Sequence, residues 1–205
     1  MKRLNILKHS TFAAFLTILF LIGLLTNSFS QTKSGKTTKL NIQNIFVASG
    51  WMGDGEYGRK YIEFEGAYEK EPHSIPTCIR IKYKFGPKRW AGIYWQNKAD
   101  NWGDRRGNNY SKKGFTKVTF WAKGETGKEV VEFKTGDIYN KKKKYHDSFD
   151  STIGRLTLST EWKQYEIDID GADLSCVIGG FCWVASKDYN NQNSITFYID
   201  DIYFE

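Results

Sequence analysis

From residue 77 to residue 85 the chain reads TCIRIKYKF, a strict alternation of apolar and mostly basic side chains. Successive side chains of a β-strand point to opposite faces, so Ile79, Ile81, Tyr83 and Phe85 share one face and Cys78, Arg80, Lys82 and Lys84 the other. That is a half-buried strand, with one face on a core and one in water. Strand signals recur at short intervals over residues 41–48, 59–65, 90–96, 116–123, 129–135, 154–158, 162–169, 180–185 and 194–205. In the 116–123 segment Val118, Phe120 and Ala122 point one way, and Lys117, Thr119, Trp121 and Lys123 the other. Residues 49–58, SGWMGDGEYG, hold four Gly and read as a loop. Beyond the N-terminal segment no window sustains a 3.6-residue apolar period, and no internal repeat points to a solenoid or propeller. The pattern predicts an all-β chain folded as a two-sheet antiparallel β-sandwich.

The first thirty residues stand apart. Lys2, Arg3 and Lys8 precede an uncharged apolar run over 12–25, and Ser28 and Ser30 make a small-residue exit before Gln31. This is the layout of a cleaved signal peptide over 1–30, because fourteen apolar residues fall short of the roughly 20 that span a bilayer. Residues 31–39 read as a flexible linker and 40–205 as one domain. The expected product is secreted, or settles in the periplasm or cell envelope, with no stable membrane insertion. Losing Lys2, Arg3 and Lys8 lowers the net charge from +7 to +4. Much of that excess lies in Lys141, Lys142, Lys143 and Lys144, a run too short and isolated for a nucleic-acid surface. It reads as a solvated loop, with weak attraction to anionic surfaces as the functional alternative. Cys78, Cys176 and Cys182 allow at most one internal disulfide, and the spacing fixes no pairing.

Residues 90–104, WAGIYWQNKADNWGD, concentrate three Trp, one Tyr, three carboxamides and two Asp. Aromatic faces beside amides and carboxylates suit a sugar, which has an apolar C–H face and a rim of hydroxyls. If Ala91 and Ile93 face inward, Trp95 is core and Trp90, Tyr94 and Gln96 share the outer face. Trp121, on the polar side of its own strand, can extend the same aromatic platform. Asn101 and Asp104 flank Trp102 as hydroxyl-binding partners, although Asn, Asp and Gly are also ordinary turn formers. Trp162 and Trp183 are assigned to the core, and Trp51 to the end of the sandwich. For an enzyme, Glu63 with Glu65 or Glu129 with Glu132 are carboxylate pairs of the kind glycoside hydrolysis needs, but both read as solvent-side positions, and no HExxH or GxSxG motif is present. A protein interface built on the exposed aromatics is the remaining alternative.

The segments GFTKVTFWAKGETGKEVVEFKTG, LSTEWKQYEIDIDG and ITFYIDDIYFE resemble the strand cassettes of galactose-binding-domain-like jelly rolls, the fold of many non-catalytic carbohydrate-binding modules in secreted bacterial proteins. The resemblance runs over 42–205, with Trp162, Tyr165, Asp200 and Asp201 at places characteristic of the group. It implies a jelly roll that binds a polysaccharide or other glycan without catalysis. It also implies a structural calcium ion, for which Asp54 and Glu56 of the first loop and Asp200 or Asp201 of the last strand occupy matching places.

Overall fold

The structure, a computed structural model, describes residues 39–205; the expected signal peptide and all but the last linker residue lie outside the described residues. Eleven strands follow in chain order: β1 Leu40–Asn41, β2 Val47–Gly53, β3 Ile62–Tyr68, β4 Cys78–Lys84, β5 Trp90–Gln96, β6 Lys117–Gly124, β7 Val130–Gly136, β8 Asp150–Thr157, β9 Lys163–Asp168, β10 Gly179–Ser186 and β11 Ser194–Phe204. They form two antiparallel sheets, one ordered β3-β4-β11-β6-β9 with β1 paired to β11, the other β2-β5-β10-β7-β8. The architecture is the expected all-β jelly-roll sandwich. No helix among the described residues is long and apolar enough to cross a membrane.

The alternation read from the sequence sets the core. Ile79, Ile81 and Tyr83 of β4 share one buried core with Ala91, Ile93 and Trp95 of β5 and Val118, Phe120 and Ala122 of β6. Between the sheets the Phe120 ring lies 4.6 Å from Phe133 and 5.0 Å from Phe181, and Trp183 meets Phe197 edge-on at 5.1 Å. Such tilted and edge contacts suit the ring quadrupole and leave little room for repacking.

Three local expectations need correction. The first predicted strand is broken: residues 42–44 form a 3-10 turn, whose Ile42 carbonyl accepts from the amides of Ile45 and Phe46, and the strand that follows runs to Gly53. Thus Trp51 is a strand residue, edge-on to Phe64 at 6.1 Å, rather than part of a loop. Glu129 is buried, not solvent-side, because its carboxylate accepts from the amides of Thr126 and Lys128 and closes the turn before β7. All three cysteines are free thiols, Cys78 and Cys182 buried and Cys176 half-buried.

Trp162 is also displaced from its expected place in the core. The connection from β3 to β4 crosses the outer face of its sheet as a strap: Trp162 Nε1 donates to the Glu71 carbonyl at 3.0 Å and Lys123 pairs with the Glu71 carboxylate at 2.8 Å. His73 of the strap stacks on Trp121 at 3.7 Å. This cover explains why Cys78, on the water-facing side of its strand by alternation, is buried.

Candidate functional site

The outer face of the five-stranded sheet carries a concavity. Its floor follows from register: Met52 of β2, Gly92 of β5, Val184 of β10 and Glu132 of β7 are cross-strand partners in one row, and Tyr94, Cys182 and Lys134 form the next. A Cβ on Gly92 would sit 2.7 Å from the Trp183 carbonyl oxygen and 2.8 Å from the Met52 methyl, so this position must be glycine for the floor to stay low. The resulting cleft, of about 460 Å³, has Trp90 and Trp102 among its walls, with Ile138, Tyr139 and Asn140 contributed by the loop after β7. Trp90 is 39% and Tyr139 61% exposed, so ring surface is offered to a ligand at little cost in core packing. Polar groups converge on the same space: Glu132, Lys134, Asp137 and Asn140 line it. Lys134 pairs with Asp137 at 2.6 Å, and Glu132 accepts from the Thr152 hydroxyl at 3.2 Å.

Two loops set the walls. In the first, residues 97–107, Asn101 is buried and saturated: its Nδ2 donates to Asn97 Oδ1 at 2.8 Å and to the Arg105 carbonyl at 2.9 Å, and its Oδ1 accepts from the amides of Gly103 at 3.2 Å and Arg105 at 3.0 Å. Gln96 ties this knot to the sheet, donating to the Asn101 carbonyl at 2.9 Å and accepting from Ser49 Oγ at 2.8 Å. The product is a fixed perch for Trp102, which meets Tyr94 edge-on at 6.1 Å.

The second loop, residues 137–149, is fastened by Asp147. One carboxylate oxygen accepts from the Ile138 amide at 2.9 Å, and the other accepts from the Ile178 and Gly179 amides. The loops meet where Gly103, at φ +105°, faces the Tyr145 carbonyl at a place with no room for a Cβ. Asp104 pairs with Lys143 at 2.5 Å at the same junction.

Burial pushes the Asp147 carboxyl up to about 7, against the opposing pull of the Ile178, Ile138 and Gly179 amides. The folded protein therefore holds a proton that the unfolded chain has lost, and stability from this group falls as pH rises. The contribution is complete below the ordinary Asp value of about 4 and is lost as pH passes through about 7. We predict a urea midpoint that declines across this window, and a carboxyl carbon titrating near its upper end by NMR. A flat midpoint with titration near the ordinary value would contradict it.

The structure divides the residues singled out in the sequence. Trp90, Tyr94 and Trp102 come together in the cleft, although Tyr94 is mostly covered. Gln96 and Asn101 are fully buried struts with their hydrogen bonds already made, and Asp104 lies outside the lining, paired with Lys143. Trp121 belongs to the other sheet and points out through its opposite face, so the single platform is split in two. Met52, Lys134, Asp137, Tyr139 and Asn140 enter from the structure alone. In the sequence Glu132 reads as a solvent-side carboxylate paired with Glu129, and only register brings it into the cleft with Trp90.

Of the four acids implied for calcium, Asp200 and Asp201 offer oxygens that lie with a His73 ring nitrogen within 4.8 Å of one another, whereas Asp54 and Glu56 are engaged by other partners. Asp54 is buried, accepting from Tyr83 Oη at 2.5 Å and from the amides of Gly86 at 2.9 Å and Lys88 at 2.8 Å, and Glu56 pairs with Lys88 at 2.8 Å. Asp200 accepts from the Ser74 amide at 2.9 Å, and Asp201 meets His73 Nδ1 at 2.8 Å. Calcium takes about six to eight oxygens around one point, from carboxylates, carbonyls and water. A bound structural ion would raise the melting temperature in millimolar calcium above that in EDTA; coinciding values would count against the implied ion.

The fold is shared with carbohydrate-binding modules of known structure. The chain superimposes on a family 30 carbohydrate-binding module with a TM-score of 0.56 at 14% identity, over 82% of this chain and 98% of that one. A family 30 module of a cellulosomal cellulase of Clostridium thermocellum matches with a TM-score of 0.51 at 19% identity, over 82% and 97%. The family 11 module from Clostridium thermocellum, solved in complex with a β-1,3-1,4-mixed-linked tetrasaccharide, matches with a TM-score of 0.52 at 13% identity, over 81% and 93%. The chain thus has the carbohydrate-binding-module type of jelly roll. No protein-family model matches the sequence, and no curated protein does either.

Proposed function

We propose that this is a secreted glycan-binding protein that holds its ligand in the cleft on the five-stranded sheet, without chemistry. One observation carries the reading: exposed indole and phenol faces, Trp90 and Tyr139, border a cleft that also presents a carboxylate, an ammonium and an amide, Glu132, Lys134 and Asn140. A pyranose meets such a surface with its C–H face on a ring and its hydroxyls on the polar groups. The match with modules that include a tetrasaccharide complex supports this reading. Affinity is modest, because desolvating a polyol offsets much of the hydrogen bonding. Export through the segment 1–30, and attraction of the loop with Lys141 and Lys144 to anionic surfaces, belong to the same proposal. Affinity electrophoresis through gels containing soluble polysaccharides, beside a reducing-sugar assay, tests it. Retardation without sugar release is expected. Release would instead turn attention to Glu132 and Asp137, the two carboxylates that share the cleft.

A further inference from the structure

A second cleft, of about 510 Å³, is lined by Lys128, Val130, Thr157, Tyr189, Asn191 and Gln192. Its lining neighbours that of the first on β7: Val130 lies on the same side of the strand as Glu132 and Lys134, alternating with buried Val131 and Phe133, and Thr157 of β8 is its cross-strand partner. Lys134 and Val130 are four residue steps apart, a distance of ~13 Å along β7, longer than one monosaccharide.

The aromatic distribution points the same way. Four aromatic side chains are exposed among the described residues, Tyr57, Trp90, Tyr139 and Tyr189, and all but Tyr57 border these two clefts. The Arg155 guanidinium, cross-strand from Glu132, lies over one face of the Tyr189 ring at 4.0 Å and fixes its orientation. Its neighbour Asn190 is clamped to both backbone groups of Val130, at 2.9 and 3.0 Å. Lys128 and Asn191, both exposed, bring an ammonium and an amide to the same lining.

We infer that the second cleft is a further sugar subsite, with Tyr189 as its stacking face and Lys128 and Asn191 as its polar groups, so that the ligand is a glycan chain running along β7 through both clefts and not a terminal sugar. This rests on the glycan reading of the first cleft. To test it, a polysaccharide that retards the protein in affinity gels is partly hydrolysed to a size ladder, and wild type, Tyr189→Ala and Trp90→Ala are titrated calorimetrically with each size. Wild-type affinity is expected to rise with chain length. Tyr189→Ala removes that rise, leaving the longest chains about tenfold weaker, or ~1.4 kcal/mol, and the shortest unchanged. Trp90→Ala weakens every length. Wild-type behaviour of Tyr189→Ala at all lengths, or an equal loss at all lengths, overturns the second subsite while the first stands. Retardation by no polysaccharide overturns both.

Discussion

Trp90→Ala lowers glycan affinity by at least ~30-fold, equivalent to ~2 kcal/mol, and leaves the melting temperature unchanged. The two halves of this expectation have separate causes. Trp90 is the first residue of β5 and is 39% exposed, so its indole contributes ring surface to the cleft rather than to the core formed by Ala91, Ile93 and Trp95. Removing it leaves no buried void, the usual source of large core losses. The ligand, by contrast, loses the most accessible indole of the cleft. Calorimetry against the binding polysaccharide, with a thermal melt on the same samples, separates binding from folding. A variant that binds normally removes Trp90 from the site.

Asn101→Ala acts through the opposite route, costing about 3 kcal/mol of stability and most of the binding as well. The side chain is fully buried and makes four hydrogen bonds, so its loss leaves the amides of Gly103 and Arg105, the Arg105 carbonyl and Asn97 Oδ1 without their partner. Those bonds define the path of the loop that carries Trp102. Trp102 should therefore become mobile, with loss of affinity although Asn101 itself touches no ligand. Urea unfolding gives the stability term, and tryptophan fluorescence anisotropy reports the freed indole. Asn101→Ala with wild-type stability would mean that the buried knot does not hold the loop.

These two residues illustrate what the sequence could and could not convey. Alternation in residues 77–85 and 116–123 identified the buried faces correctly, because a period of two belongs to the strand itself and survives whatever packs against it. The stretch 90–104 was legible as unusual, and Trp90, Tyr94 and Trp102 do meet. Its amides were harder to read. Asn101 and Gln96 look the same in a sequence whether they face a sugar or each other, and only the path of the loop makes them internal partners. Trp121 was placed on the correct side of its strand, but the sheet to which a strand belongs is a long-range fact: β5 and β6 follow one another in the chain and lie in different sheets. The same limit hid Lys134, Tyr139 and Tyr189, and the place of Glu132. They come from β7, the loop after it and the turn after β10, and reach the clefts through pairings that no local pattern encodes.

The central claim is that the ligand lies on the outer face of the five-stranded sheet, and chemical-shift mapping tests it most directly. Isotope-labelled protein is titrated with a polysaccharide that retards it in gels, and indole and backbone resonances are followed. The account predicts that the Trp90 and Trp102 indoles and the amides of Lys134 and Asn140 move together, while the Trp121 and Trp162 indoles, on the opposite sheet, stay in place. Shifts centred on Trp121 and Tyr203 with a silent Trp90 would contradict it.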